Sequence, residues 1–315
     1  MIFKPHLALA ITCLGLLFFP AESARADYVN RIYWTDWSHG AVYRANVDGS
    51  GTEQIISTPI ESLDGLAIDP IDNQLYIGTG THLLRSNLDG SNLTTVLSGG
   101  SAYNFFDVEI DATNRKIYWN EWIQGGGGEV GIKRADLDGT SIETVWHHLG
   151  AQSKAIDPEA GKLYWASDTG TAGRIYKSDL DGTNREQILY NTFHQGHLAG
   201  LALDLPRNKM YFTTWEGGGI WRANMDGTGV ELLLNDKTAS IALDSEGGKI
   251  YWTSWAYGLN EIKRANLDGT GEEVVCLMGG AGNDIALEFV PEPTTFSLLA
   301  IGGLALLRPR HYGCR

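Results

Sequence analysis

Cysteine is nearly absent. The 315-residue chain has three, Cys13, Cys276 and Cys314. Only Cys276 lies outside the two apolar ends, so no disulfide can staple the body of the protein. Long apolar runs are missing too: Leu7 to Phe19 and Phe296 to Leu307 both fall short of the roughly 20 residues that a spanning helix needs. Basic residues are scarce. Residues 27–290 hold 19 Lys and Arg against 36 Asp and Glu, a net charge of −17, and such a surface repels nucleic acid and anionic lipid. Neither a serine nucleophile elbow nor a phosphate-cradling glycine loop is present; Gly125 to Gly128 reads as a loop tip.

Glycine and aromatics are plentiful, with 39 Gly, 10 Trp and 13 Tyr. That mixture suits many short strands joined by tight turns and packed through aromatic side chains. Internal repetition then decides the fold. A Tyr followed by a bulky residue recurs as Tyr33-Trp34, Tyr76-Ile77, Tyr118-Trp119, Tyr164-Trp165, Tyr211-Phe212 and Tyr251-Trp252. Each is followed by Asp-Gly, beginning at Asp48, Asp89, Asp138, Asp181, Asp226 and Asp268. A short apolar run ending in Asp precedes all but the first, at Asp69, Asp111, Asp157, Asp204 and Asp244.

Each unit reads as four strands with period-2 patterning. The apolar run comes first and the Tyr-Trp pair second. The third strand is of the Val42-Tyr43-Arg44-Ala45-Asn46 type and the fourth of the Glu53-Gln54-Ile55-Ile56 type. Asp-Gly between the last two predicts a two-residue hairpin. A unit of this length cannot bury both faces alone, so the expected architecture is all-β: a six-bladed β-propeller of four-stranded antiparallel blades. The first repeat lacks its leading strand, and Asp284-Ile285-Ala286-Leu287-Glu288 is a surplus one. The ring is therefore expected to be closed by the C-terminal strand.

Three segments follow: a signal peptide over 1–26, the propeller over 27–290 and a tail over 291–315. Lys4, the apolar run and Ala24-Arg25-Ala26 predict cleavage before Asp27. Val290-Pro291-Glu292-Pro293, the apolar stretch from Phe296 and Arg308-Pro309-Arg310 resemble the PEP-CTERM sorting signal of Gram-negative bacteria. That resemblance implies an exosortase-type processing enzyme, delivery to the cell surface or matrix, and membrane contact only through the tail; a retained anchor is the other reading.

Ile32-Tyr33-Trp34-Thr35-Asp36-Trp37, with Arg44-Ala45-Asn46-Val47-Asp48-Gly49, resembles the YWTD repeats (class B repeats) of the low-density lipoprotein receptor family. The resemblance covers nearly all of residues 31–289 and implies an interaction module without catalytic chemistry, bound to an extracellular protein or polysaccharide. It also assigns the motif's Asp a part in ordering neighbouring blades, yet the fourth position reads Asp36, Thr79, Glu121, Ser167, Thr214 and Ser254 in turn.

The residue after the motif is Trp37, Trp122, Trp215 and Trp255 in four of six units. It enters a loop on the same face as the blade connections, which carry Asp64, Tyr103, Phe105, Asp107, His194, His197, Asn283 and Asp284. Aromatics beside carboxylates at one channel mouth make a ligand-binding site of Trp37, Trp122, Trp215, Trp255, Tyr103, His197, Asp64, Asp107 and Asp284. The same Trp residues also suit packing of loops onto blade edges, with Tyr257 near Trp255, and the same carboxylates suit a solvated rim.

No catalytic residue, cofactor or metal site is assigned. Asp136-Leu137-Asp138-Gly139 and Asp179-Leu180-Asp181-Gly182 lack the further ligands of a calcium loop. His147-His148 point to opposite faces of a strand, and His194 with His197 has no third ligand by spacing. The alternative to a binding module is a metal-dependent, lactonase-like propeller hydrolase, in which Asp64, Asp107, Asn283 and Asp284 converge on the channel. A structural part in an exopolysaccharide matrix is a third reading, carried only by the tail.

Overall fold

The computed structural model describes residues 27–58, 62–99, 105–122, 130–147, 150–168, 173–191, 197–215, 218–255 and 260–291. Residues 1–26 and 292–315, where a leader and a sorting tail are expected, lie outside them, as do Tyr103, His194, His148, Tyr257 and Gly125 to Gly128. Among the described residues, alternation of apolar and polar side chains produces 24 strands, β1 to β24 in chain order, in six four-stranded sheets. The strands are antiparallel to their sequence neighbours, and each sheet is one blade.

Blade one has the order β24-β1-β2-β3. Its strands are β24 (Gly282–Pro291), β1 (Asp27–Asp36), β2 (Ala41–Asn46) and β3 (Glu53–Ser57). Blades two to six follow at 63–98, 105–147, 151–191, 198–234 and 238–277. The last strand thus closes the ring as its sequence predicts. Two contacts fix it: the Asp284 N–H donates to Thr35 Oγ1 at 3.0 Å and the Tyr33 hydroxyl to Glu288 Oε2 at 2.9 Å. Burial, then the Glu288 contact, pushes the Tyr33 hydroxyl up to about 12.

All six Tyr-bulky pairs are buried, each aromatic removing roughly 150–250 Å² from water. The Tyr hydroxyls also join blades. Those of Tyr76 and Tyr211 donate to Leu137 O and Leu267 O of the next blade at 3.2 and 2.9 Å. Arginines of the third strands do the same: Arg44 Nη1 reaches Leu88 O and Arg264 Nη1 reaches Val47 O, both at 2.9 Å, the latter across the ring closure. Asp36 has a local task instead, accepting Ser38 N–H and His39 N–H of its own hairpin at 3.0 and 3.2 Å. Thr79 accepts Thr81 N–H and His82 N–H in the same way at 3.1 and 2.8 Å. In blades one and two the motif's fourth position therefore caps a loop, which a hydroxyl does as well as a carboxylate, and Tyr and Arg make the contacts between blades.

The Asp-Gly turns differ from the two-residue hairpin that their sequence predicts. Arg44 pairs with Glu53, and residues 47–52 form the connection. Gly49 N–H donates to Asn46 O at 2.8 Å, and Gly49 itself has φ +82°. The longer turn reaches the adjacent blade: a Cβ on Gly49 would collide with the Val275 carbonyl, and one on Gly227 with the Ile188 carbonyl. Five of the six glycines are thus demanded by ring packing as well as by turn geometry, and Gly269 has a looser fit, 3.0 Å from an added Cβ to the Leu233 carbonyl.

Candidate functional site: the aromatic face and the channel throat

Antiparallel order puts the loops between second and third strands on the same face as the blade connections. Backbone bonds pin each loop there: Trp37 N–H to Ala281 O at 3.2 Å, Trp215 N–H to His197 O at 2.9 Å and Trp255 N–H to Lys237 O at 3.1 Å. Trp37 and Trp215 are 53% and 49% exposed, so about half of each ring faces solvent. Trp215 and Trp255, from adjacent blades, meet edge to face with ring centroids 5.0 Å apart. Trp122 ends β9 (Lys116–Trp122) on blade three, and its side chain lies outside the described set. His197 is exposed beside Trp215.

A buried carboxylate stiffens this platform. Asp236, in the connection between blades five and six, is 6% exposed. It accepts Trp252 Nε1–H at 2.8 Å, Ser254 Oγ–H at 2.9 Å and Lys263 Nζ–H at 3.1 Å. Its neighbour Lys237 supplies the carbonyl that holds Trp255.

The acidic members of the predicted site lie inside the throat rather than on the rim. The innermost strands of five blades end in an acid (Asp69, Asp111, Asp157, Asp204 and Asp244), that of blade one carries Glu288 three residues before its end, and counting back from these acids aligns all six strands. Four residues before it stand Gly65, Asp107, Ser153, Gly200, Ser240 and Asp284. Three of these side chains accept an N–H of the next blade: Asp284 Oδ2 from Leu66 at 2.8 Å, Asp107 Oδ2 from Lys154 at 3.0 Å and Ser153 Oγ from Leu201 at 3.1 Å. Ser240 Oγ–H also donates to Asp284 Oδ1 at 2.6 Å. Burial, then the Asp107 charge, holds Asp284 up at about 7. Asp64 accepts Ser62 Oγ–H at 2.9 Å and Asn283 Nδ2–H at 3.4 Å, and burial raises its carboxyl. The predicted set therefore splits into an aromatic group on the outer face and a carboxylate group that ties blades together within.

Reading by motif missed two throat residues that the aligned strands display. Two residues before the terminal acid, five blades carry Ala67, Ala155, Ala202, Ala242 and Ala286, and the third carries Glu109. Burial, then the Asp107 charge, pushes Glu109 up to about 8. Three residues before the acid, five blades carry Leu, Val or Ile and the fourth carries Lys154, only 1% exposed. The Lys154 ammonium lies 2.5 Å from Asp107 Oδ2 and 3.3 Å from Asn120 Oδ1, and also donates to the Asp107 carbonyl. Toward the opposite face the channel opens into a cavity of about 410 Å³, lined by alanine, isoleucine and leucine with Glu109 and Glu288.

Six four-stranded blades with YWTD-type repeats define the class: a six-bladed β-propeller. Within it the chain belongs to the SMP-30/Gluconolactonase/LRE-like family, whose model matches residues 20–269. It is also similar to the human low-density lipoprotein receptor-related protein 5-like protein, 28% identical over 255 residues, covering 79% of this chain and 81% of that one. Among solved structures it resembles a chain of a nidogen/laminin complex, with TM-score 0.71, 19% identity, and coverage of 82% and 98%. It resembles less closely the calcium-binding protein regucalcin from Agrobacterium tumefaciens, with TM-score 0.57, 13% identity, and coverage of 73% and 81%.

The lactonase side of this family implies a divalent cation at the channel. The residues present do not fit one. Among the described residues no group of three or more His, Cys, Asp or Glu side chains is arranged to hold a metal ion, and the Asp107 carboxylate faces an ammonium group. No helix among them is long and apolar enough to cross a membrane.

Proposed function

We propose that this chain is an exported binding module that takes a partner on the face bearing Trp37, Trp215 and Trp255. The observation that carries this reading is the half-exposed Trp37 and the Trp215–Trp255 pair on loops fixed by backbone bonds. Rigid, exposed Trp side chains supply large contact area at low entropic cost, and Trp dominates interface energetics. Charge distribution supports the same face. Its loops present His39, His197 and Lys237, whereas the turns at the opposite end present Asp48, Asp89, Asp138, Asp181, Asp226 and Asp268. Hydroxyl hydrogen bonds hold all six of these carboxyls below the usual range, so they are ionised at neutral pH. A partner on the aromatic face avoids that ring of charge.

On this reading the partner is an extracellular protein, in line with the receptor-related and nidogen-like relatives, and a polysaccharide is the other class. The leader and the PEP-CTERM-like tail would deliver the propeller to the surface of a Gram-negative cell after exosortase-type processing. Replacing Trp37, Trp215 and Trp255 together by Ala is expected to weaken capture of the partner from the organism's surface fraction by at least about 30-fold. The thermal midpoint should fall by only a few degrees, since two of the three rings are half in water. Unchanged capture would remove the aromatic face from the proposal. Family membership favours the hydrolase as second reading; lactone turnover that requires added calcium or manganese would put it first.

A further inference from the structure

An ammonium group has three N–H donors, and a buried one is tolerated only when all are met by oxygen. At Lys154 they are: Asp107 supplies a carboxylate oxygen and its own carbonyl, and Asn120 supplies an amide oxygen. The backbone is bent to make this arrangement. Asp107 has φ +47° and lies at a break in the register of β8 (Phe105–Asp111) against β9. None of the equivalent residues in the other five blades has a positive φ. A non-glycine residue held in the left-handed region is strained, and strain of this kind persists only where surrounding contacts over-determine it. Here the strained turn aims carbonyl and carboxylate at one point, as a chelating residue does for a cation. Asn120 is buried and held in turn, its Nδ2 donating to Ala151 O and Gln152 O at 3.3 and 3.0 Å. The oxygen cage therefore belongs to blade three, tied to blade four through the Asn120 amide, and its cation arrives on a side chain of blade four.

We infer that the Lys154 ammonium is the resident cation of the throat, tethered to the chain, and that it takes the place of a bound metal ion both as counter-charge to Asp107 and as the bridge between blades three and four. Column for column, five blades place an aliphatic side chain where this lysine stands, so the position needs no charge for packing. What calls for the charge is Asp107, whose carboxylate otherwise faces Asp284 and Glu109 with no neutralising partner. The inference holds whether the aromatic face or the channel proves to be the working site. It predicts that the throat is closed to divalent cations in this protein.

Two measurements on residues 27–290, a single compact unit, test it. Thermal unfolding in millimolar CaCl₂, MnCl₂ or EDTA should give one midpoint, and elemental analysis after dialysis should find no stoichiometric metal. Retained metal, or a midpoint that rises by more than a few degrees with either salt, overturns the inference. The second is a double-mutant cycle. Lys154→Met leaves Asp107 buried without a counter-charge, and Asp107→Asn leaves the lysine so; each should lower the midpoint by about 10 °C. The double variant Lys154→Met/Asp107→Asn removes both charges and should recover at least half of that loss. If a single variant cannot be purified folded, folded recovery of the double variant alone gives the same answer. Additive losses in the double variant would show that lysine and aspartate act independently and would overturn the bridge.

Discussion

Gly227→Ala is expected to destabilise the propeller by about 3–5 kcal/mol, and Gly161→Ala by about 1 kcal/mol. The two glycines share one burden and differ in another. Gly227 has φ +83° and Gly161 has φ +65°, so an alanine at either site meets the left-handed penalty of an L-residue. At Gly161 the new methyl has nothing within 4 Å, and the conformational term is all that is lost. At Gly227 the methyl would drive into the Ile188 carbonyl of the preceding blade. That carbonyl belongs to backbone in β15 (Glu186–Asn191), so relief requires a shift between blades rather than a rotamer change. In a closed ring such a shift propagates, because four of the five other Asp-Gly turns are seated in the same way. Guanidinium unfolding of the two variants beside the parent is the check. Equal losses would mean that the turn glycine answers to local conformation alone and that contact with the neighbouring blade has room to relax.

The same contrast explains how much of the molecule its sequence discloses. Blade count, strand order and ring closure are legible because each follows from a local pattern repeated six times. Asp284 to Glu288 completes the first blade for the reason its sequence implies: it matches the column its five counterparts fill. The Asp-Gly turn was legible as a turn, but its length was not. Two-residue hairpins obey a purely local rule, whereas these turns extend until their glycine meets the next blade. The terminal acids of the inner strands show a similar limit. Asp111 accepts Asn114 N–H at 2.9 Å, and Asp244 accepts Gly247 N–H at 2.7 Å, a turn-capping task that spacing alone does not announce.

For the site, the sequence exposes residue types and hides their orientation. Trp37 and Trp215 are half exposed. Asp107 and Asp284, equally conspicuous as loop-side acids, turn inward to accept N–H groups across blade boundaries, because an N–H that a ring of separate sheets leaves unpaired must find an acceptor. Lys154 and Glu109 escaped attention because the run that holds each was read for its pattern and its closing Asp rather than column by column. Each becomes visible once the six inner strands are stacked and one charged residue stands in an otherwise apolar column.

Glu109 makes that column measurable. Its folded-state value of about 8 stands above the 4.5 of an ordinary glutamate, chiefly through burial and then through the Asp107 charge, with Lys154 opposing and Asp284 reinforcing. Folding therefore takes up a proton in the interval between those two values. The contribution of this group to stability is greatest below about pH 4.5 and declines as the pH rises toward 8. The full shift corresponds to nearly 5 kcal/mol at about 1.4 kcal/mol per unit, and water in the channel reduces the expected effect to about 2–3 kcal/mol. Glu109→Ala extends the ring of alanines to all six blades without adding bulk. At pH 8.5 the variant should be more stable than the parent by about 2 kcal/mol, and near pH 5 the two should differ little. Urea unfolding across that range reads the difference directly, and parallel stability profiles would show that Glu109 keeps an ordinary carboxyl in contact with channel water. Converging curves at acid pH with divergence above neutrality would show that the throat, already carrying Asp107, Asp284 and a single ammonium, has no counter-charge left for a third carboxylate.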